Sequence, residues 1–181
     1  MITNTQHEPT RPLALARHYL SDLVYGANDG IITTFAVVSG VAGAALEPRI
    51  VVILGVANLL ADGFSMGASN FLAIRSNQAA LRADGDEPTE PFPVRHAVAT
   101  FGAFVVAGAV PLLSYVTNLA PTAAFTTAVI LTLVTLFLLG ASRAFVTDGS
   151  WVKSGCEMLL VGSAAAAVAY GVGALIAGIV P

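Results

Sequence analysis

Five long apolar stretches dominate the chain and leave few folds open to it. They run over Leu20–Ala45, Ile50–Ile74, Val94–Val116, Pro121–Phe145 and Gly155–Val180. Each is long enough to cross roughly 30 Å of hydrocarbon as a helix. A segment inside a bilayer must satisfy its own backbone hydrogen bonds, so it forms either a helix or a strand of a closed barrel. Barrel strands alternate polar and apolar residues over about ten positions, whereas these stretches are longer and continuously apolar. The predicted fold is an all-α integral membrane protein with five transmembrane helices.

The composition supports a lipid environment. Hydrophobic residues make up 56% of the 181 residues and charged residues only 10%, whereas soluble domains are usually about a quarter charged. A soluble globule of this length could not bury so much apolar surface. The net charge of −3 gives no indication of a nucleic-acid partner. The single cysteine, Cys156, excludes an intrachain disulfide and a cysteine-based metal site.

The basic residues predict the orientation of the five helices. With a cytosolic N-terminus, the only basic residue among the outer segments is Arg49. The other basic residues all fall in inner segments: Arg11, Arg17, Arg75, Arg82, Arg95, Arg143 and Lys153. Basic residues concentrate in cytoplasmic segments, so the pattern favours an odd number of spans, with the N-terminus in the cytosol and the C-terminus outside.

Two polar segments flank or interrupt the predicted transmembrane domain of residues 20–181. Residues 1–19 lack the apolar region of a secretory signal peptide, so we expect a disordered or interfacial N-terminal tail. A short cytosolic loop is predicted over residues 75–93, and its acidic residues are expected to form a solvated turn: Asp84, Asp86, Glu87 and Glu90. The lack of targeting signals and the Ala/Gly-rich composition favour a bacterial inner membrane.

Two aspartates lie within the first two predicted spans, Asp29 and Asp62. A charged side chain at mid-membrane costs roughly 2.5–3.5 kcal/mol on insertion scales, so such residues usually have a function. Further polar residues follow each aspartate at helical spacing, which places them on one face. The stripe on the first span contains Asp22, Asp29 and Thr33, and that on the second contains Asn58, Asp62, Ser65 and Ser69, with Met66 beside it. Two such faces are expected to meet in a polar cleft.

The side chains of this cleft are suited to a divalent cation. Oxygen ligands prefer hard or borderline cations, and a thioether shifts the preference towards transition metals. The predicted metal ligands are Asp29, Asp62 and Met66, and a second group of candidates is Asn58, Thr33 and Ser69. This set favours Fe²⁺ or Mn²⁺ over Mg²⁺ or Ca²⁺. Asp22 and Glu157 are candidates for cation access from the cytosol and for proton coupling, with Asp29 and Asp62. Structural hydrogen bonding between helices is the alternative role for the aspartates.

The three histidines are not predicted to take part in this chemistry. His7, His18 and His96 show no ligand spacing along the chain, so we expect them to lie at the membrane interface.

Two sequence blocks resemble the vacuolar iron transporter family. The first is Asp22-Leu-Val-Tyr-Gly-Ala-Asn-Asp-Gly-Ile-Ile-Thr-Thr34, and the second is Ala61-Asp-Gly-Phe-Ser-Met-Gly-Ala-Ser-Asn-Phe-Leu72. The resemblance implies a homodimer of five-helix subunits, with a transport path between subunits lined by their first helices. It also implies export of Fe²⁺, and in some members Mn²⁺, from the cytosol in exchange for protons. Of the family's intramembrane metal site, Asp29 and Met66 match directly.

The chain departs from the family pattern in three places. Asn58 stands where many members have a glutamate, and Asp62 supplies a carboxylate one turn later. Asn77 also replaces a common glutamate. Plant-type members carry a glutamate-rich cytosolic metal-binding domain between spans two and three, and the loop 75–93 is too short to contain one. We therefore expect a member lacking that domain.

Three functions are compatible with these features. The favoured one is a metal/proton antiporter that carries Fe²⁺ or Mn²⁺ as substrate and has no bound cofactor. A passive cation channel is the first alternative, and a membrane scaffold whose polar stripes only hold helices together is the second. An enzyme is not expected, because the chain contains no HExxH sequence, phosphate-binding glycine loop or nucleophile–base arrangement.

Overall fold

The chain is described by a computed structural model over residues 12–179, except residues 89, 118 and 148. Six α-helices and one 3₁₀ helix account for most of these residues. They are α1 (Pro12–His18), α2 (Leu20–Gly43), α3 (Pro48–Ala83), α4 (Pro93–Gly108), the 3₁₀ helix (Val110–Val116), α5 (Pro121–Thr147) and α6 (Trp151–Ala177). The described part of the chain contains no strand, which confirms the all-α prediction there. Residues 1–11, His7 among them, and Val180 lie outside the described residues.

The helix α2 lies at the centre of the bundle, in contact with every other helix and with the 3₁₀ helix. Its apolar face contributes Ile31, Phe35 and Val38 to the core, all at most 4% exposed. Its backbone also approaches α4 very closely. A Cβ atom added to Gly30 would lie 2.3 Å from the carbonyl oxygen of Phe104. Only glycine permits this contact, so the packing of α2 on α4 depends on it.

Three of these helices are long and apolar enough to cross a membrane: α3, α5 and α6. A fourth span results if α4 and the 3₁₀ helix count as one, with a bend of 43° between them. These helices make the chain an integral membrane protein. The helix α2 has sufficient length but is absent from this group, because polar residues such as Asn28 and Asp29 lower its mean hydropathy. The prediction of five spans and the predicted orientation are therefore not confirmed by length and composition.

The first half of the predicted loop 75–93 is helical in the structure. The helix α3 continues without interruption to Ala83, and its 36 residues extend for about 54 Å at 1.5 Å per residue. Its last turns are polar but contain strong helix formers and no glycine or proline. The helix ends just before Gly85, whose φ of 86° suits a helix terminus. Only residues 84–92 connect α3 to α4.

Two smaller features differ from the expectations or refine them. Residues 12–18 of the predicted tail form the helix α1 rather than irregular structure. The pair Gly63 and Gly67 packs against α4 of the same chain, where added Cβ atoms would meet Phe101 and Ala97. This GxxxG pair therefore serves a contact within the chain.

Candidate metal site between helices α2 and α3

A polar cleft of about 410 Å³ opens between the N-terminal half of α2 and the middle of α3. The α2 side of the cleft is formed by Ser21, Asp22 and Tyr25, and the α3 side by Ser65, Met66, Ser69, Asn70 and Ala73. Ser65 and Ser69 are exposed on the surface of the single chain. The cleft thus combines a carboxylate, a thioether, three serine hydroxyls, a phenol and an amide on one side of the bundle.

Asp29 lies one helical turn beyond Tyr25, outside the lining of this cleft. It is half-buried, as is Asp62 on α3. The carboxylate of Asp62 is close enough for its negative charge to act on Asp29. The hydroxyl of Thr33 donates a hydrogen bond of 2.7 Å to the backbone carbonyl of Asp29. The two predicted aspartate ligands therefore lie near each other, and Thr33 is engaged with its own helix.

Asn58 lies one turn before Asp62 on α3 and is half-buried. Its side-chain nitrogen is buried and has no hydrogen-bond partner among the described residues. A buried amide without a partner costs free energy, so a polar group or water that satisfied it would be stabilised here.

Asp22 is held by two neighbouring polar residues, Asn70 and His96. Asn70 donates to its Oδ1 at 2.7 Å, and Nδ1 of His96 lies 2.6 Å from its Oδ2. The amide of Asn70 also donates to the hydroxyl of Thr100 at 2.8 Å. Both oxygens of this predicted access residue are therefore engaged in a network that joins α2, α3 and α4.

Glu157 does not join Asp22 in the α2–α3 cleft. It is exposed and lines a second, neighbouring cleft of about 670 Å³, together with Arg17, Asn28 and Arg143. Ser21 and Tyr25 line both clefts. The structure therefore separates the two residues that the sequence predicts for cation access.

The spacing of the histidines along the chain did not indicate that any of them would meet another ligand-type side chain, but His18 and His96 both lie beside Glu90. Nε2 of His96 lies 3.2 Å and Nε2 of His18 lies 3.4 Å from Oε2 of Glu90. His96 is 6% exposed, so its ring is buried inside the protein. Glu90 is half-buried, so it also departs from the expected solvated turn. We call these three residues the His18–Glu90–His96 cluster.

The ring of Tyr19 covers this cluster. Its centroid lies 4.8 Å from that of His18 and 4.7 Å from that of His96. Burial raises the pKa of the Tyr19 phenol, and the negative charges of Glu90 and Asp22 raise it further. The sequence contains one signal for this cluster. His18 precedes Asp22, which contacts His96, by four residues, and this is the spacing of neighbours on a helix.

Comparison with known proteins agrees with this architecture. The sequence profile of the VIT family matches residues 20–92 and 84–174. The chain is 32% identical to vacuolar iron transporter homolog 5 of Oryza sativa subsp. japonica, over 88% of this chain and 81% of that protein. It is 26% identical to a vacuolar iron transporter of Toxoplasma gondii, over 87% and 74%. It is 27% identical to vacuolar iron transporter 1 of Eucalyptus grandis, over 86% of each.

These relatives are eukaryotic proteins, so they give no support to the predicted bacterial inner membrane. The family profile covers most of the chain, and the rice protein is similar over most of its own length. The chain therefore belongs to the VIT family.

Proposed function

We propose that the protein transports a divalent metal cation, Fe²⁺ or Mn²⁺, out of the cytosol in exchange for protons. The observation that carries this proposal is the polar face formed by α2 and α3 in a chain that is otherwise strongly apolar. Similar proteins carry the name vacuolar iron transporter, which supports the same class of substrate.

The arrangement of side chains supports metal coordination on this face. Asp29 and Asp62 are near each other, and Met66 lies one turn beyond Asp62 on α3. Two nearby carboxylates in a medium of low dielectric constant are stabilised by a cation or a proton between them. Metal binding to such groups releases protons. This exchange is the chemistry that an antiporter requires.

The topology belongs to the proposal as well. We count α2 as a fifth span, since it is long enough to cross the membrane and lies at the centre of the bundle, in contact with the other helices. The basic residues then favour a cytosolic N-terminus. Ser65 and Ser69 are exposed on a helix that crosses the membrane, and a second copy of the chain would shield them from lipid. This shielding of the two serines supports a homodimer in which the transport path lies between the subunits.

Metal uptake into liposomes tests the proposal against its alternatives. The purified protein is reconstituted with a trapped metal-sensitive dye, and Fe²⁺ or Mn²⁺ is added outside with and without an imposed pH gradient. An antiporter gives uptake that responds to the pH gradient at zero membrane potential. A passive channel gives uptake that does not respond. A scaffold gives no uptake above protein-free liposomes, which would contradict the proposal.

Replacement of Asp62 tests whether it compensates for Asn58. We expect Asp62→Asn to lower metal flux about tenfold or more, because an interaction with a charged group contributes roughly 1.5–3 kcal/mol. We also expect the flux to become less dependent on pH, since one proton-binding carboxylate is lost. The measurement is the initial rate of Mn²⁺ uptake at a series of pH values around neutrality, from about pH 6 to about pH 8. Unchanged flux and an unchanged pH profile would exclude a role for Asp62.

A further inference from the structure

A group of ligand-type side chains lies at the end of the bundle, apart from the Asp29–Asp62 pair. In the His18–Glu90–His96 cluster, one ligand atom from each residue lies within 4.8 Å of the other two. His18 ends α1, His96 lies in the first turn of α4, and Glu90 belongs to the connection between α3 and α4. Three separate segments therefore converge on one point.

The distances within the cluster match the coordination shell of a small divalent ion. Oxygen and nitrogen ligands lie about 2.1 Å from such an ion, which places tetrahedral ligand atoms about 3.4 Å from one another. The distances from Oε2 of Glu90 to Nε2 of His96 and His18 are 3.2 and 3.4 Å. The remaining distance, between the two histidine nitrogens, is at most 4.8 Å. A modest rotation of the His18 ring, whose side chain is 21% exposed, would complete the shell.

The protein also orients the His96 ring as metal-binding histidines are oriented. An ionised carboxylate only accepts hydrogen bonds, so the contact of 2.6 Å with Asp22 places a proton on Nδ1. Nε2 faces Oε2 of Glu90 at 3.2 Å, and a metal ion bound between these two atoms would take the place of the proton in that contact. A carboxylate behind a ligating histidine fixes the ring and raises its basicity. Asn70 holds Asp22 in turn.

The backbone at Glu90 is fixed in place. Its carbonyl oxygen accepts a hydrogen bond from the side-chain nitrogen of Gln78. Gln78 is only 8% exposed and lies on the C-terminal extension of α3. The additional turns of α3 therefore hold the short connection that carries the cluster's carboxylate. The ring of Tyr19 packs beside both histidines.

We propose that His18, Glu90 and His96 bind one divalent transition-metal ion at this end of the bundle. Two imidazoles and one carboxylate suit Fe²⁺, Co²⁺ or Zn²⁺ better than Mg²⁺ or Ca²⁺, and they leave positions open for water or for passage of the ion. Asp22 contacts His96 and also lines the α2–α3 cleft. The site therefore adjoins the mouth of that cleft. Binding at this site does not depend on the proposed transport.

Cobalt binding to the full-length protein in detergent tests this site. Co²⁺ is titrated into the metal-free protein while its visible absorption is recorded. We expect one Co²⁺ per chain to bind with the absorption of a nitrogen–oxygen site of low coordination number, in addition to Co²⁺ at the Asp29–Asp62 pair, which has no nitrogen ligand. Glu90→Gln and His18→Ala are expected to weaken this binding by about 10–100-fold or more, the range seen even for residues behind the ligands. Both side chains are partly exposed, so these variants should remain folded, and size-exclusion elution checks this.

Two further variants separate this site from other sources of binding. Glu87→Gln changes an exposed carboxyl in the same connection and should leave the absorption and the affinity unchanged. Asp29→Asn should also retain the cobalt signal, even if it abolishes transport. The proposal is overturned if the wild-type protein gives no such absorption, or if folded Glu90→Gln and His18→Ala bind Co²⁺ as tightly as the wild type. Neither of those results would bear on transport through the α2–α3 face.

Discussion

Asp29→Asn is expected to lower metal uptake by reconstituted protein at least about a hundredfold, equivalent to roughly 2.8 kcal/mol. The substitution keeps the size of the side chain but removes its negative charge. Asp29 is the half-buried carboxylate in the middle of the central helix, and the charge of Asp62 acts on it. Without Asp29, a cation that leaves water would meet one carboxylate instead of two. The measurement is the initial rate of Fe²⁺ uptake into liposomes under a fixed pH gradient.

A matched control for this variant is Asp86→Asn. Asp86 is exposed in the connection after α3, so the same chemical change there should leave uptake within experimental error of the wild type. An equal loss of metal uptake in both variants would indicate a general effect of removing one negative charge from the protein. Full uptake by Asp29→Asn would exclude Asp29 as a ligand in the transport path.

Gly30→Ala is expected to destabilise the bundle more than any other single methyl addition to α2. The new Cβ would lie 2.3 Å from the carbonyl oxygen of Phe104 and 2.8 Å from its Cα. Backbone atoms cannot rotate away, so α2 and α4 must separate. Overpacking of a core costs about 1–3 kcal/mol, which lowers the melting temperature of a chain of this size by roughly 2–12 °C. Thermal unfolding in detergent, followed by size exclusion, measures this change.

Gly102→Ala is the control for that experiment. Gly102 lies on α4, and a Cβ atom there would have no neighbour within 4 Å. Its alanine variant should unfold at the wild-type temperature or slightly above it, because alanine favours helix more than glycine does. If both variants unfolded at the wild-type temperature, the result would contradict the close backbone contact between α2 and α4.

The positions of the helices were largely predictable from hydropathy, and the error at α3 has a physical cause. The apolar part of α3 ends near Ile74, but its backbone continues as a helix to Ala83. Hydropathy indicates where a helix leaves the membrane, whereas helix propensity and Gly85 determine where it ends. The break between α4 and the 3₁₀ helix coincides with Gly108 and Pro111, a signal of a helix end that hydropathy alone does not use.

The candidate site was predictable only where its residues share one helix. Met66 and Ser69 follow helical spacing on α3 and do line the cleft. In the His18–Glu90–His96 cluster, His18 lies far along the chain from Glu90 and His96, and the spacing of His18 and Asp22 does not by itself indicate that the three meet. Glu157 was grouped with Asp22 from its place near the cytosolic end of its span. The two line different clefts, because helix rotation is determined by packing and not by depth.

Simultaneous recording of metal and proton movement tests the central claim most directly. Liposomes that contain both a metal-sensitive and a pH-sensitive dye are prepared with the wild-type protein at zero membrane potential, and Fe²⁺ is added outside. We predict that the metal signal rises while the interior becomes more alkaline, with both changes absent in Asp29→Asn. Metal uptake without any change in internal pH would contradict proton exchange, and no uptake above protein-free liposomes would contradict metal transport itself.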